Sequence, residues 1–518
     1  MATLRSDVSI LYPALAAVFA LLLHQFVKRR NSRVPLPPGP PADPIINHLR
    51  VIPTKNHPQA FHEWTKAYGD VVYVNALGKS FIILGSEEAA SDLLDKRSAN
   101  YSDRPQFPMQ DLIGWSDMVV FLNYGDQFNK MRKLSSQPFT RQGSLLFQDI
   151  QLDQAHILLY SLLESPFEYW DPIQRFATAI VMDIAYGHRI VDNGDPYLRM
   201  ADRTAKIALE LGNLGTHAVD IFPFLKHLPA WFPGAGFIRY CQETGRDVKK
   251  VRDWPFQEVR KQLAAGKARK SFVAMHLEDF ARDGAESPKN LDDLAAAATF
   301  LNLAGGETTS SSILMFVMAM QLYPEAQRKA QKEIDEVIGP NRLPDFSDRE
   351  SLPMVECVIQ EVLRLYNPIP LGVPHCARAD DVYKGMFIPK GALVVANTLS
   401  LALDEKVYAN PYVFWPERYL PKPEGNGEPH PPGVFGYGRR ICPGRFLANA
   451  SVWIAITTIL ATFDIKCPQD ERGKEIIPTG ELDTGATRRP KPFKCQMKIR
   501  SSQAEKLIRN AHQDFLKA

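Results

Sequence analysis

Only six of the 518 residues are cysteine, at Cys241, Cys357, Cys376, Cys442, Cys467 and Cys495, with no C-x-x-C pair and no His-x-His cluster among them. That scarcity excludes a disulfide-stapled scaffold and the usual zinc-ligand spacings. An excess of either charge is also missing: 61 Lys and Arg stand against 58 Asp and Glu, a formal charge of +3. The chain therefore lacks the basic footprint of a nucleic-acid binder, and no nucleic-acid partner is expected. G-x-G-x-x-G does not occur, so there is no dinucleotide fingerprint of its own. Internal repeats, low-complexity tracts and long linkers are absent as well. What is present is 45% hydrophobic and 10% aromatic residues, enough for a sizeable core. Length alone would allow about three domains, but the lack of linkers favours one large body over residues 42–518.

Residues 8–27 carry no charge and, at about 1.5 Å per helical residue, match the roughly 30 Å of a bilayer core. A cleaved signal peptide is the competing reading, but its apolar region usually runs only about 7–15 residues. Here the stretch ends in Lys28, Arg29, Arg30 and Arg33, a stop-transfer cluster that places the rest of the chain in the cytosol. Residues 35–41, PLPPGPP, lack most backbone donors and favour stiff extended backbone. The organisation expected is a transmembrane anchor at 8–27, a basic stop-transfer and Pro-rich hinge at 28–41, and a cytosolic body whose thiols stay reduced.

The body reads as mainly α with a minor β part. Strand-like residues 71–74 and 80–84 flank Gly78, helical periodicity dominates from about 87 to 365, and residues 385–397 and 492–499 are again β-like. The longest helix is expected from Asn290, as its cap, to Leu322 before Pro324. Its centre, Ala304-Gly305-Gly306-Glu307-Thr308-Thr309, sets two glycines in a helix interior, each costing about 1 kcal/mol relative to Ala. A helix break with a second helix capped by Thr308 or Thr309 is one reading, and a functional irregularity the other.

The segment Phe435-Gly436-Tyr437-Gly438-Arg439-Arg440-Ile441-Cys442-Pro443-Gly444 precedes an apolar helical stretch at 446–460. A thiol at a helix start, beside arginines, is favoured as thiolate. The bland alternative is a buried cysteine in a Gly-rich turn. The pattern F-x-x-G-x-R-x-C-x-G, at Phe435, Gly438, Arg440, Cys442 and Gly444, resembles the haem-binding loop of the cytochrome P450 family. Five fixed positions at a few per cent each give a chance match of only about 10⁻⁴ over the chain. E-x-x-R occurs three times, at Glu243/Arg246, Glu325/Arg328 and Glu361/Arg364. Only the last lies on an apolar-faced helix upstream of Pro416-Glu417-Arg418-Tyr419 and the cysteine loop, the order of the family. Tyr101-Ser102-Asp103-Arg104-Pro105 and the Ala304–Thr309 segment match it too, and the resemblance spans almost the whole chain, most like fungal microsomal members.

The resemblance implies a cytochrome P450 fold, preceded by one N-terminal transmembrane helix, and a monooxygenase carrying haem b (iron protoporphyrin IX). In that reading Cys442 ligates the iron. Arg132, His375 and Arg440 meet the propionates, and Phe435, Gly438 and Gly444 complete the cofactor-binding loop. Glu307 and Thr308 relay protons on the opposite face, with Gly305-Gly306 opening a groove for dioxygen and water. Glu361, Arg364 and Arg418 form a buried structural cluster. Two departures stand out: Phe128 replaces a tryptophan four residues before Arg132, and Ala396-Asn397-Thr398-Leu399-Ser400 replaces A-N-x-W-A. NADPH acts indirectly, through a membrane-bound NADPH-cytochrome P450 reductase docking on Lys130, Lys133, Arg439 and Arg445. A lipophilic small molecule would contact residues 109–120, 294–308, 369–373 and 483–486. Phe222, Phe224, Trp231 and Phe232 either dip into the membrane or pack in the core. The expected setting is a monomer on the endoplasmic reticulum membrane, spanning it once. A membrane-tethered haem protein that binds or senses ligands, and an isomerase or dehydratase on the same haem, are the other readings; an intact Glu307-Thr308 pair favours the monooxygenase.

Overall fold

The computed structural model describes residues 34–211 and 217–517. The anchor expected at 8–27 and the basic cluster at 28–33 lie outside them. Helix α1 (His57–Tyr68) leads into a hairpin of β1 (Val71–Ala76) and β2 (Lys79–Leu84). Leu77 and Gly78 both take positive φ at its turn, the twist a two-residue hairpin loop needs. A helical region follows: α2 (Asp126–Ser136), α3 (Gln148–Glu164), α4 (Trp170–Tyr186), α5 (Pro196–Leu211), α6 (Gly236–Ala264), α7 (Phe272–Arg282), α8 (Pro288–Leu322), α9 (Pro324–Val337) and α10 (Pro353–Leu365). Short strands β3 (His375–Cys376), β4 (Asp381–Tyr383), β5 (Met386–Ile388) and β6 (Leu393–Ala396) come next. The described chain closes with α11 (Arg445–Thr462), the antiparallel pair β7 (Phe463–Lys466) and β8 (Gln496–Ile499), and α12 (Ser502–Lys517).

The larger sheet has the order β1-β2-β6-β3, with β2 and β6 parallel and the other pairs antiparallel. This order ties residues 71–84 to residues 375–396, and so hangs His375 on the same rigid layer as the amino-terminal hairpin. Proline at the first turn of α8, α9 and α10 starts helices where the missing N–H costs nothing.

Helix α8 runs through the centre, buried over 293–299 and 309–321, which fits its apolar ends. It begins two residues before the expected cap: Ser287 Oγ accepts the Asn290 amide, and the Asn290 side chain instead donates to Ala285 O. Pro288 decides this, because its fixed φ suits the first helical position. Nor does α8 break at its glycines. A Cβ on Gly305 would lie 2.5 Å from Val181 Cγ1, and one on Gly306 3.3 Å from Thr178 Oγ1. The pair is there so that α8 and α4 can touch backbone to side chain, and that close packing offsets the helix-propensity cost.

Among the described residues one helix, α11, is long and apolar enough to cross a membrane. Most of it is buried in the largest core cluster, where Trp453, Ile454, Ile456 and Ile459 pack against α8 and α10. It is a core helix.

Candidate functional site

Between α8 and the cysteine loop lies a cavity of about 360 Å³. Its wall holds Cys442, Phe435, Arg132, His375, Arg440, Glu307 and Thr308, residues up to 310 positions apart in sequence. A smaller, contiguous space of about 90 Å³ is also lined by Cys442, Thr308 and Ala304, and by Gly444 and Gly305. Cys442 and the α8 pair therefore face one chamber from opposite sides.

The loop is held by its own hydrogen bonds. The Cys442 amide donates to Phe435 O at 2.8 Å, while Arg132 and Arg445 donate to the carbonyls of Ile441 and Cys442. Burial pushes the Cys442 thiol up; the Gly444 amide and the Arg132 and Arg445 charges pull the other way. The arginines and the loop amide favour the thiolate, but desolvation is the larger effect. A coordinating metal deprotonates a thiol outright, which resolves that opposition. Gly438 does not reach the chamber: at φ +50° a Cβ there would sit 2.3 Å from Leu94 O. It is glycine for packing against the segment around residue 94.

Arg440 donates to Ser102 O, Val119 O and Leu122 O, and its guanidinium lies 3.8 Å from the Phe128 ring centre. Phe128, where the family often has tryptophan, forms a cation–π shelf for Arg440. His375 Nδ1 meets Tyr101 O at 2.6 Å, and burial holds its pKa well below the ordinary value. One cation was not singled out from the sequence: Arg104, buried, donates to Val120 O, Val373 O and Pro374 O and lines the same chamber. Its signal was the YSDRP segment, legible as a motif but not as a charge facing this space. Burial lowers the pKa of Arg104 and Arg132, and brings Arg440 down to about 10.

All three guanidiniums donate to backbone carbonyls, and among the described residues no carboxylate forms an ion pair with them. Buried cations without anions are costly. A flat apolar group bearing two carboxylates, placed between Cys442 and α8, would supply the missing charge. The wall fits haem on this ground.

Across the chamber, Thr308 Oγ1 donates to Ala304 O at 2.8 Å, leaving its lone pairs to accept. Glu307 Oε1 lies 3.8 Å from Arg489 Nη1. The remaining lining is mostly apolar: Trp115, Met118, Val120, Phe121, Phe300 and Leu371. Three of the expected substrate segments contribute, but the last is displaced: Thr487 lines the chamber in place of 483–486. Asp483 instead accepts the Arg489 amide, closing a turn.

Glu361, Arg364 and Arg418 do meet, fully buried and away from the chamber. Arg364 forks onto both Glu361 oxygens at 2.8 Å, and Arg418 Nε reaches Oε1 at 3.1 Å. Glu428, which no sequence motif pointed to, completes the set at 2.6 Å from Arg418. The cluster clamps the carbonyls of Ala402, Ala409, Pro411 and Val413. It therefore fixes the 402–428 meander, which leads through residues 429–434 into the cysteine loop.

The sequence profile described as Cytochrome P450 matches residues 37–497. The chain belongs to the cytochrome P450 family. This P450 is 38% identical to cytochrome P450 monooxygenase 136 of Postia placenta, over 98% of its length and 96% of that protein's. It is 36% identical to monooxygenase 176 of the same fungus, over 98% of both chains, and 38% identical to the monooxygenase claR of Ampulloclitocybe clavipes, over 98% and 94%. It is a P450 monooxygenase with fungal homologues, and the family implies a haem-thiolate cofactor.

Proposed function

We propose that this P450 inserts one oxygen atom of O₂ into a lipophilic small molecule, in fungal secondary metabolism or xenobiotic oxidation. Electrons come from NADPH through a membrane-bound reductase. The observation that supports this best is the shared chamber, with Cys442 on one wall, Glu307 and Thr308 on the other, and cations without counter-ions at its edge.

In this reading Cys442 Sγ holds the iron, and Arg104, Arg132, His375 and Arg440 hold the propionates. The bound haem supplies the oxygen-activating redox chemistry, and its thiolate ligand favours O–O cleavage. Thr308 positions water through the oxygen lone pairs that its bond to Ala304 leaves free, and Glu307 carries protons to that point. Trp115, Phe121, Phe300 and Leu371 exclude bulk water and orient an apolar substrate.

Residues 8–27 tether the domain to the endoplasmic reticulum, facing the cytosol. Phe222, Phe224, Trp231 and Phe232 support a membrane-facing edge, since Trp231 is 78% and Phe224 67% exposed. Such a cluster suits an interface better than water. Of the four expected docking cations, Lys130 is taken by Asp293 at 2.5 Å and Arg445 by the Cys442 carbonyl. Lys133 and Arg439 remain exposed.

The reduced, carbon monoxide-bound protein should show the thiolate-type Soret shift, and Cys442→Ala should abolish it. A normal shift in the variant would overturn the assignment. Lys133→Glu should slow reduction by the NADPH-dependent partner severalfold while sparing peroxide-driven turnover; equal loss of both would remove Lys133 from the docking face.

A further inference from the structure

The antiparallel pair β7–β8 ends with Lys466 opposite Gln496, and the next residue on each chain is a cysteine, Cys467 after β7 and Cys495 before β8. In such a ladder, facing residues alternate between pairs that exchange backbone hydrogen bonds and closer pairs that do not. Ile465 and Met497 fix the phase. The Ile465 N–H donates to Gln327 Oε1, its C=O accepts from Gln327 Nε2, and the Met497 N–H donates to Pro166 O. Both residues thus turn their backbone groups away from the partner strand. Two residues on, Cys467 and Cys495 fall in the same phase and on the same face, where Cα atoms stand about 4.5 Å apart.

The chains stay together past the last ladder bond. Pro468 has no N–H with which to reach Lys494 O, and Gln321 Nε2 takes that place, donating to Lys466 O at 2.8 Å and to Lys494 O at 3.1 Å. One amide from the end of α8 therefore clips together the residues that precede the two cysteines. Both thiols are free, Cys467 partly exposed and Cys495 buried. A Cα separation of about 4.5 Å lies within the range that a disulfide spans.

We propose that Cys467 and Cys495 are a disulfide-forming pair, an oxidative modification site closed by a low-molecular-weight disulfide of the glutathione type. Cys467, the accessible thiol, attacks as thiolate on one sulfur of that disulfide; the S–S bond breaks, one thiol leaves, and a mixed disulfide forms. Cys495 gives up its proton to water and attacks the Cys467 sulfur, forming the cross-strand bond and releasing the second thiol. Two protein thiols are oxidised and one small disulfide is reduced to two thiols. Burial raises the pKa of both cysteines, so closure is slow. The bond clasps the base of residues 468–494, the segment that carries Thr487 to the chamber wall and Arg489 to Glu307.

Haem-loaded full-length protein held in oxidised glutathione, then alkylated and digested with trypsin without reductant, should yield residues 467–472 joined to 495–498. The joined peptides should be lighter than the two thiol peptides by two hydrogen atoms, and dithiothreitol should part them. In Cys495→Ala, glutathione should instead stay on Cys467. Glutathione retained on Cys467 of the wild type, or an unmodified Cys467, would overturn the pair, and this digest decides even if Cys495→Ala fails to fold. Trypsin acting on the folded protein should cut after Arg488 severalfold more slowly once the bridge is closed, because releasing the segment requires its base to open. Equal rates in bridged and reduced protein would overturn the clasp.

Discussion

The two arginine clusters of this P450 are built on opposite principles. At Glu361, Arg364, Arg418 and Glu428, two guanidiniums meet two carboxylates, and the backbone carbonyls of the meander take the remaining donors. Around the main chamber, Arg104 and Arg440 are buried and Arg132 is partly so, yet among the described residues their hydrogen bonds run only to neutral carbonyls. The first cluster is complete within the protein. The second is complete only with an anion added, and that difference separates a structural charge cluster from a ligand site more reliably than burial does.

The comparison can be broken most sharply at Glu361. Glu361→Gln keeps the shape but leaves Arg364 and Arg418 short of an anion at zero exposure, and should cost about 3–5 kcal/mol. Against a total of about 5–15 kcal/mol, the expected result is little soluble protein and a strongly lowered melting temperature. Arg364→Lys should behave similarly, since an ammonium cannot fork onto both oxygens. Arg132→Met tests the other cluster. Arg132 gives one hydrogen bond to Ile441 O, so denaturant unfolding of the unloaded chain should shift by no more than about 1 kcal/mol. Transfer of haem to an acceptor globin should nevertheless accelerate. An unfolding penalty as large as that of Glu361→Gln would erase the distinction between the clusters.

A smaller effect is expected at His156 on α3, whose pKa is lowered by burial. A lowered histidine pKa means the unfolded chain takes up the proton first. Its contribution is therefore full above about pH 6.5 and is lost as pH falls below that ordinary value toward the folded one. Melting temperatures at pH 7.5 and 5.5 should differ less in His156→Gln than in the parent.

Much of this was legible in the sequence because it is local. The β1–β2 hairpin, the apolar ends of α8 and the cysteine loop follow from turn chemistry, periodicity and a motif contained in ten residues. Glu361 and Arg364 were readable as an i, i+3 pair, and Arg418 through its motif; Glu428 was not, because no spacing rule connects it to them. Arg104 was missed for the same reason. It lies 338 positions from Cys442, and only the sheet that joins residues 81–84 to 393–396 brings the Tyr101 and His375 segments together under the loop.

By itself, the sequence determined that Cys442 precedes a helix beside arginines, that α8 carries an acid and an alcohol next to two glycines, and that these belong to a haem-thiolate pattern. Only the tertiary structure decided what each of these faces. It turned the glycines toward Val181 and Thr178, set Gly438 against Leu94, buried the thiol enough to oppose its ionisation, and placed Glu307 across the chamber from it. Side-chain environment depends on contacts between distant segments, and those contacts exist only once the core has closed.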